Sequence, residues 1–195
     1  MIQKVSGSFD RRRLFVRSSS LALLLTLFLN SSNLLAKAPK CDYFEQFGRW
    51  YTSFGVSLAV DMTHQDERFQ AFRTNSIALL ASGVSVHTLK FSTNVERPTK
   101  RGEGRWNSSF PSGHTAVAFC QAGSIGTLHE NFKKPLLFLG FMVGRSRIRS
   151  RHHRFGDVVA GAAIGYLWGR YYGRKELNSR KESSAQTMSL VKMRF

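Results

Sequence analysis

Two histidines, one carboxylate and three long cations stand at spacings that could move a phosphoryl group. His153 and Asp157 are four residues apart, which on a helix puts both on one face. There the carboxylate can accept the Nδ1 proton of the imidazole and leave Nε2 as nucleophile or base. "PSGH" at 111–114 combines a loop stop at Pro111, an N-cap residue at Ser112 and a glycine, Gly113, that lets a ligand approach the backbone. Unpaired N–H groups and the helix dipole make such a start an anion site, and His114 can point at the same anion. "KFSTNVERP" at 90–98 supplies Lys90 and Arg97. Arg147, six residues before His153, offers a planar fork for phosphate-type oxygens.

Each piece has an ordinary reading when taken alone. Ser-Gly-His is a common helix cap, His-x3-Asp a common surface pair, and a Lys/Arg segment a solvated helix end. Together they suit phosphoryl transfer without a metal. Cations and amides neutralise the oxygens, one imidazole attacks, and the other protonates the leaving oxygen. No carboxylate cluster has metal spacing, so independence from divalent ions is expected, with no cofactor.

Helices are the elements expected to position these groups. Moderately apolar segments run over about 50–60, 74–90, 114–129, 135–147 and 156–172, without the strict alternation of strands. Polar turns such as "ERPTKRGEGRWNSSFP" and "IRSRHHRF" separate them. The fold class read from this pattern is all-α, one domain over 39–172, followed by a basic, loose tail at 173–195. His152, next to His153, is expected to face elsewhere.

The 195 residues carry 29 Lys and Arg against 12 Asp and Glu, a net charge of +17. Such an excess favours anionic partners: nucleic acid, acidic headgroups or phosphorylated small molecules. The N-terminus narrows the choice. A basic start, the apolar "LALLLTLFL" and the small-x-small "AKA" at 36–38 read as an export signal or signal anchor over 1–38. Export argues against nucleic acid. Beyond that segment no run reaches the ~18–20 apolar residues of a membrane span, and mean hydropathy is −0.23. These features predict a compact helical protein lying at or partly in a membrane. Cys41 and Cys120 could pair in an oxidising compartment, but Cys120 reads as a core residue.

The ordered set Lys-x6-Arg-Pro, Pro-Ser-Gly-His and Ser-Arg-x5-His-x3-Asp resembles the three-part signature of the type 2 phosphatidic acid phosphatase (PAP2) and vanadium haloperoxidase superfamily. Lys90, Arg97, Pro98, Pro111, Ser112, Gly113, His114, Ser146, Arg147, His153 and Asp157 fill every signature position. The resemblance covers roughly 74–172 and implies a helical bundle with the active site at one end. It implies that Lys90, Arg97, Arg147, Ser112 and Gly113 bind phosphate. His153 would form a phosphohistidine, oriented by Asp157, and His114 would serve as acid and then base. The short chain and the "TNxERP" style of the first motif look closest to the membrane lipid phosphatase branch, lipid A phosphatases included. The implied substrate is then a phosphorylated lipid: phosphatidate, phosphatidylglycerophosphate, undecaprenyl pyrophosphate or lipid A. The implied place is the periplasmic face of a bacterial inner membrane. Arg149, Arg151 and Arg154 read either as a solvated basic turn or as cations facing acidic headgroups or a multiply phosphorylated substrate. The alternative is a soluble periplasmic acid phosphatase of broad specificity. A vanadate-dependent haloperoxidase and a silent anion-binding protein stand further off.

Overall fold

A computed structural model describes residues 48–63, 69–99 and 108–193. Its five helices are α1 (Trp50–Thr63), α2 (Gln70–Thr93), α3 (Gly113–Leu128), α4 (Glu130–Arg149) and α5 (Phe155–Lys192). Among the described residues there is no strand. The all-α expectation holds, and the export segment and Cys41 lie outside the described residues.

Helix α3 is the centre of the bundle, and every other helix packs on it. Its sequence, "GHTAVAFCQAGSIGTL", is small or apolar on nearly all sides, which suits a helix with no solvent face. Val60, Ala71, Ala118, Ala122, Ile125, Leu136 and Val143 form the apolar core around it.

The seam between α3 and α5 is a contact of backbone on backbone. Gly161, Gly165, Gly169 and Gly173 recur every four residues and so share one face of α5. A Cβ on Gly161, Gly165 or Gly169 would collide with the carbonyl oxygens of Ser112, Ala116 and Cys120 in turn. A Cβ on Gly123 of α3 would reach the Tyr166 carbonyl at 2.6 Å. Only hydrogen side chains let the two axes come this close.

Polar ties fix the other helices. The Asp61 carboxylate on α1 accepts the N–H groups of Ala71 and Phe72 at 2.8 Å each, satisfying orphan donors at the start of α2. Asn75 on α2 bonds Ser53 on α1 at 3.0 Å and Ser124 on α3 at 2.8 Å, all buried. Trp168 of α5 donates to Ser85 of α2 at 2.9 Å.

The segment after 172 differs from the expected loose tail. Helix α5 runs on to Lys192, solvent-exposed over its last turns. Glu176 supports its exit by pairing with Arg73 of α2 at 3.0 Å and with Arg180 at 3.8 Å. Its basic, polar composition suggested a loose tail, yet Arg, Lys, Glu, Leu and Ala are good helix formers. Among the described residues, no helix is long and apolar enough to cross a membrane.

Candidate active site

Two helix connections, α2 to α3 and α4 to α5, bring the separated motifs to one end of the bundle. Helix α2 stops at Thr93 because Asn94 turns left-handed, φ 46°, with its N–H on the Lys90 carbonyl at 3.1 Å. The following non-helical stretch is stitched to the entry of α3. Ser109 N–H donates to the Val95 carbonyl at 2.7 Å, and Val95 N–H to Ser108 Oγ at 3.0 Å. Lys90 Nζ donates to the Ser108 carbonyl. Lys90 and Arg97 are thus held against the loop that leads into "PSGH".

Helix α3 begins with Ser112 at the N-cap, its backbone extended and its N–H on the Asp157 carbonyl at 2.9 Å. The Ser112 hydroxyl pairs with Thr115 Oγ1 at 2.9 Å and makes no capping bond to the backbone. Gly113 and His114 occupy the first turn, where N–H groups lack intrahelical acceptors. His114 is half-buried. The backbone of Gly48 lies so near it that a Cβ there would sit 2.9 Å from His114 Cβ.

The second connection places His153. Helix α4 ends at Arg149, Arg151 takes a left-handed φ of 53°, and the N–H groups of His152 and His153 both fold back to the Arg147 carbonyl at 3.2 Å. Arg147 and His153 therefore leave one turn side by side. His152 points away, with Nδ1 2.7 Å from Ser150 Oγ, as the sequence suggested.

The His153–Asp157 pair is built differently from the expectation. Helix α5 starts at Phe155, so His153 lies in the preceding turn and not on a shared helical face. Its Nδ1 is 2.7 Å from the Ser109 carbonyl and 3.7 Å from Asp157 Oδ2. A carbonyl can only accept, so Nδ1 carries the proton and Nε2 keeps its lone pair. Asp157 instead accepts the Arg154 N–H at 2.8 Å, capping its own helix, and a short bond from the Ser109 hydroxyl. Ser109 is the residue the motif reading missed. Its carbonyl sets the tautomer of His153 while its hydroxyl braces Asp157.

Electrostatics bind the cluster together. Lys90, Arg147, His153 and Asp157 are each under 8 % exposed. Burial first, then the positive charges of Arg97, Lys90 and Arg147, push His153 down to about 3, against the pull of its Ser109 bond. The imidazole is therefore neutral at any ordinary pH, and its approach to Asp157 is not an ion pair. Burial, then Arg97, lowers Lys90 to about 8, with Asp157 pulling the other way. Arg97 is lowered by burial and then by Arg147. Three cations that feel one another beside a single carboxylate leave an excess of positive charge in a partly desolvated place. An anion is what such a place favours.

All eight residues expected at the site lie among the described residues, and those motifs converge at one end. The PAP2 superfamily model matches residues 74–179, more than half of the chain. Over 85 residues the chain is 29% identical to the non-specific acid phosphatase of Providencia stuartii, covering 41% of this chain and 34% of that protein. Over 101 residues it is 34% identical to the lipid A 1-phosphatase of Porphyromonas gingivalis, covering 49% of this chain and 22% of that protein. The matched stretch thus spans about a third or less of either relative. The crystal structure of Aquifex aeolicus LpxE aligns with a TM-score of 0.55 at 23% identity, over 88% of this chain and 98% of that one. That likeness shows the all-α fold, and the family match over 74–179, from α2 into α5, shows that the chain belongs to the PAP2 superfamily.

Proposed function

We propose that the protein is a metal-independent phosphatase that removes phosphate from a phosphorylated lipid through a phosphohistidine on His153. The observation that carries this reading is the neutral, Nδ1-protonated imidazole of His153 held among Lys90, Arg97 and Arg147.

The chemistry follows from that arrangement. The three cations and the amides at the start of α3 neutralise the non-bridging phosphate oxygens as charge builds on them. Nε2 of His153 attacks phosphorus, and the bond from phosphorus to the leaving oxygen breaks. His114, protonated at this stage, gives its proton to that oxygen. The imidazole becomes cationic on phosphorylation, and Asp157 Oδ2, 3.7 Å from Nδ1, offsets that charge. His114, now neutral, takes a proton from water, which attacks phosphorus and returns His153 to its starting state. Similarity to a lipid A 1-phosphatase supports a lipid substrate. The net charge of +17 and the candidate N-terminal signal support action at the outer face of a bacterial inner membrane.

A second reading is a soluble phosphatase of broad specificity. It is favoured by the absence of a membrane-spanning helix among the described residues and by similarity to a non-specific acid phosphatase. Phosphate release by the purified full chain, in chelator, tests both. The panel is lipid A, phosphatidylglycerophosphate, phosphatidate, undecaprenyl pyrophosphate and p-nitrophenyl phosphate. Preferred release from one lipid is the expected result. Release from p-nitrophenyl phosphate alone favours the second reading, and no release from any ester contradicts both.

A further inference from the structure

A cleft of about 500 Å³ opens beside His114, between α2, the start of α3 and the chain just before α1. Leu79, Gly83, Val86 and His87 line it from α2, with Arg49 and His114 opposite. None of Lys90, Arg97, Arg147 and His153 borders it. Gly113 and His114, both expected at the phosphate site, also line it, so the cleft adjoins that site. A group whose oxygen is protonated by His114 has this space beside it.

Gly83 is the second, independent observation. It lies in the interior of a 24-residue helix, where glycine costs about 0.5–1 kcal/mol relative to alanine. No packing demands it, because a Cβ there would meet nothing within 4 Å. What a side chain at 83 would enter is the cleft. Near Gly83 on α2, outside the cleft lining, Leu80 and Val84 are 71% and 61% exposed and give an apolar strip.

We infer that the cleft receives the apolar body of the leaving group, an alcohol bearing an alkyl or acyl chain, and that Gly83 sets the bulk it admits. The inference rests on the phosphatase reading and adds to it where the non-reacting part of the substrate lies. The chain of the ester would pass Leu79 and Val86 and emerge over Leu80 and Val84. Remote contacts of this kind orient the reacting end and so enter kcat/KM.

Substitution of Gly83 in the full-length protein separates the outcomes. Wild type, Gly83→Ala and Gly83→Phe are assayed with phosphatidate in mixed micelles and with p-nitrophenyl phosphate, folding being checked by circular dichroism. Gly83→Phe is expected to lose about tenfold or more in kcat/KM on phosphatidate, the scale of a steric misfit in a pocket. On p-nitrophenyl phosphate it is expected to stay within about twofold of wild type, since that ester brings no chain. Gly83→Ala should follow wild type on both. If Gly83→Phe does not fold, Gly83→Leu repeats the measurement. Equal losses on the two esters, or no loss on either, overturn the cleft assignment while leaving the phosphatase reading intact. A wild type that cleaves only p-nitrophenyl phosphate overturns the lipid leaving group. A wild type that cleaves neither overturns the phosphatase reading and the cleft with it.

Discussion

The two sides of α3 use the same residue type for opposite ends. Towards α5, Gly161, Gly165 and Gly169 are places where a Cβ would strike backbone, so their absence of a side chain closes space. Towards α2, Gly83 is a place where a Cβ would strike nothing, so its absence of a side chain keeps space open. The closed side carries the start of α5, with Asp157 and the bond from Ser112 N–H to the Asp157 carbonyl. It fixes the part of the site that must not move. The open side carries Lys90 and borders His114, and under the cleft assignment it is where substrates would differ. Precision and access are thereby assigned to different helix pairs.

Breaking the closed side should have the largest effect. Gly165→Leu is expected to yield no folded protein, and Gly165→Ala to cost at least about 1–3 kcal/mol in denaturant unfolding, the scale of overpacking against an unyielding neighbour. A full-strength Gly165→Ala would mean that the seam is looser than described.

Asp157→Asn probes how the closed side reaches the site. The Nδ1 acceptor is the Ser109 carbonyl, so the variant keeps the tautomer of His153 and loses only charge and one good acceptor. A charged hydrogen bond is worth about 1.5–3 kcal/mol, so kcat should fall by about 10–100-fold. A loss near 10⁴-fold, the scale seen when a tautomer is wrong, would show that Asp157 holds Nδ1 during turnover.

On the open side, Lys90 gives a pH dependence of known sign. Its pKa is lowered to about 8, so the cation is present below that pH and lost above it. Affinity for inorganic phosphate should weaken by roughly tenfold per pH unit above about 8 while the ion stays a dianion. Titration calorimetry measures this, and Lys90→Ala should flatten that limb. No basic limb in the wild type would remove Lys90 from the anion site. His153 stays neutral down to about 3 and should add no limb between pH 5 and 8.

The smallest effect sharpens the contrast most cleanly. Gly83→Ala should stabilise the fold by about 0.5–1 kcal/mol, opposite in sign to Gly165→Ala.

Much of this was legible in the sequence, and for stated reasons. The motif spacings named each cation and histidine because side-chain chemistry is written in residue types. Helical segments were visible from their small and apolar content, although α2 starts at Gln70, anchored by Asp61 of another helix, which no local pattern shows. The acceptor of His153 Nδ1 was not legible, since a backbone carbonyl leaves no mark on residue identity. The four-residue glycine repeat in α5 was printed in the sequence, but its partner surface on α3 was not. The helical end of α5 was missed because a basic, polar composition was read as a loose tail, where helix propensity and the Glu176 pairs suffice.

The central claim is that His153 Nε2 takes the phosphoryl group while Lys90, Arg97 and Arg147 hold its oxygens. Its most direct test is a rapid alkaline quench of the full chain turning over ³²P-labelled substrate in chelator, followed by mapping of the label. The expected result is a base-stable, acid-labile label on His153 that is absent from His153→Ala. Turnover with no covalent label, or a label that persists in His153→Ala, would contradict it.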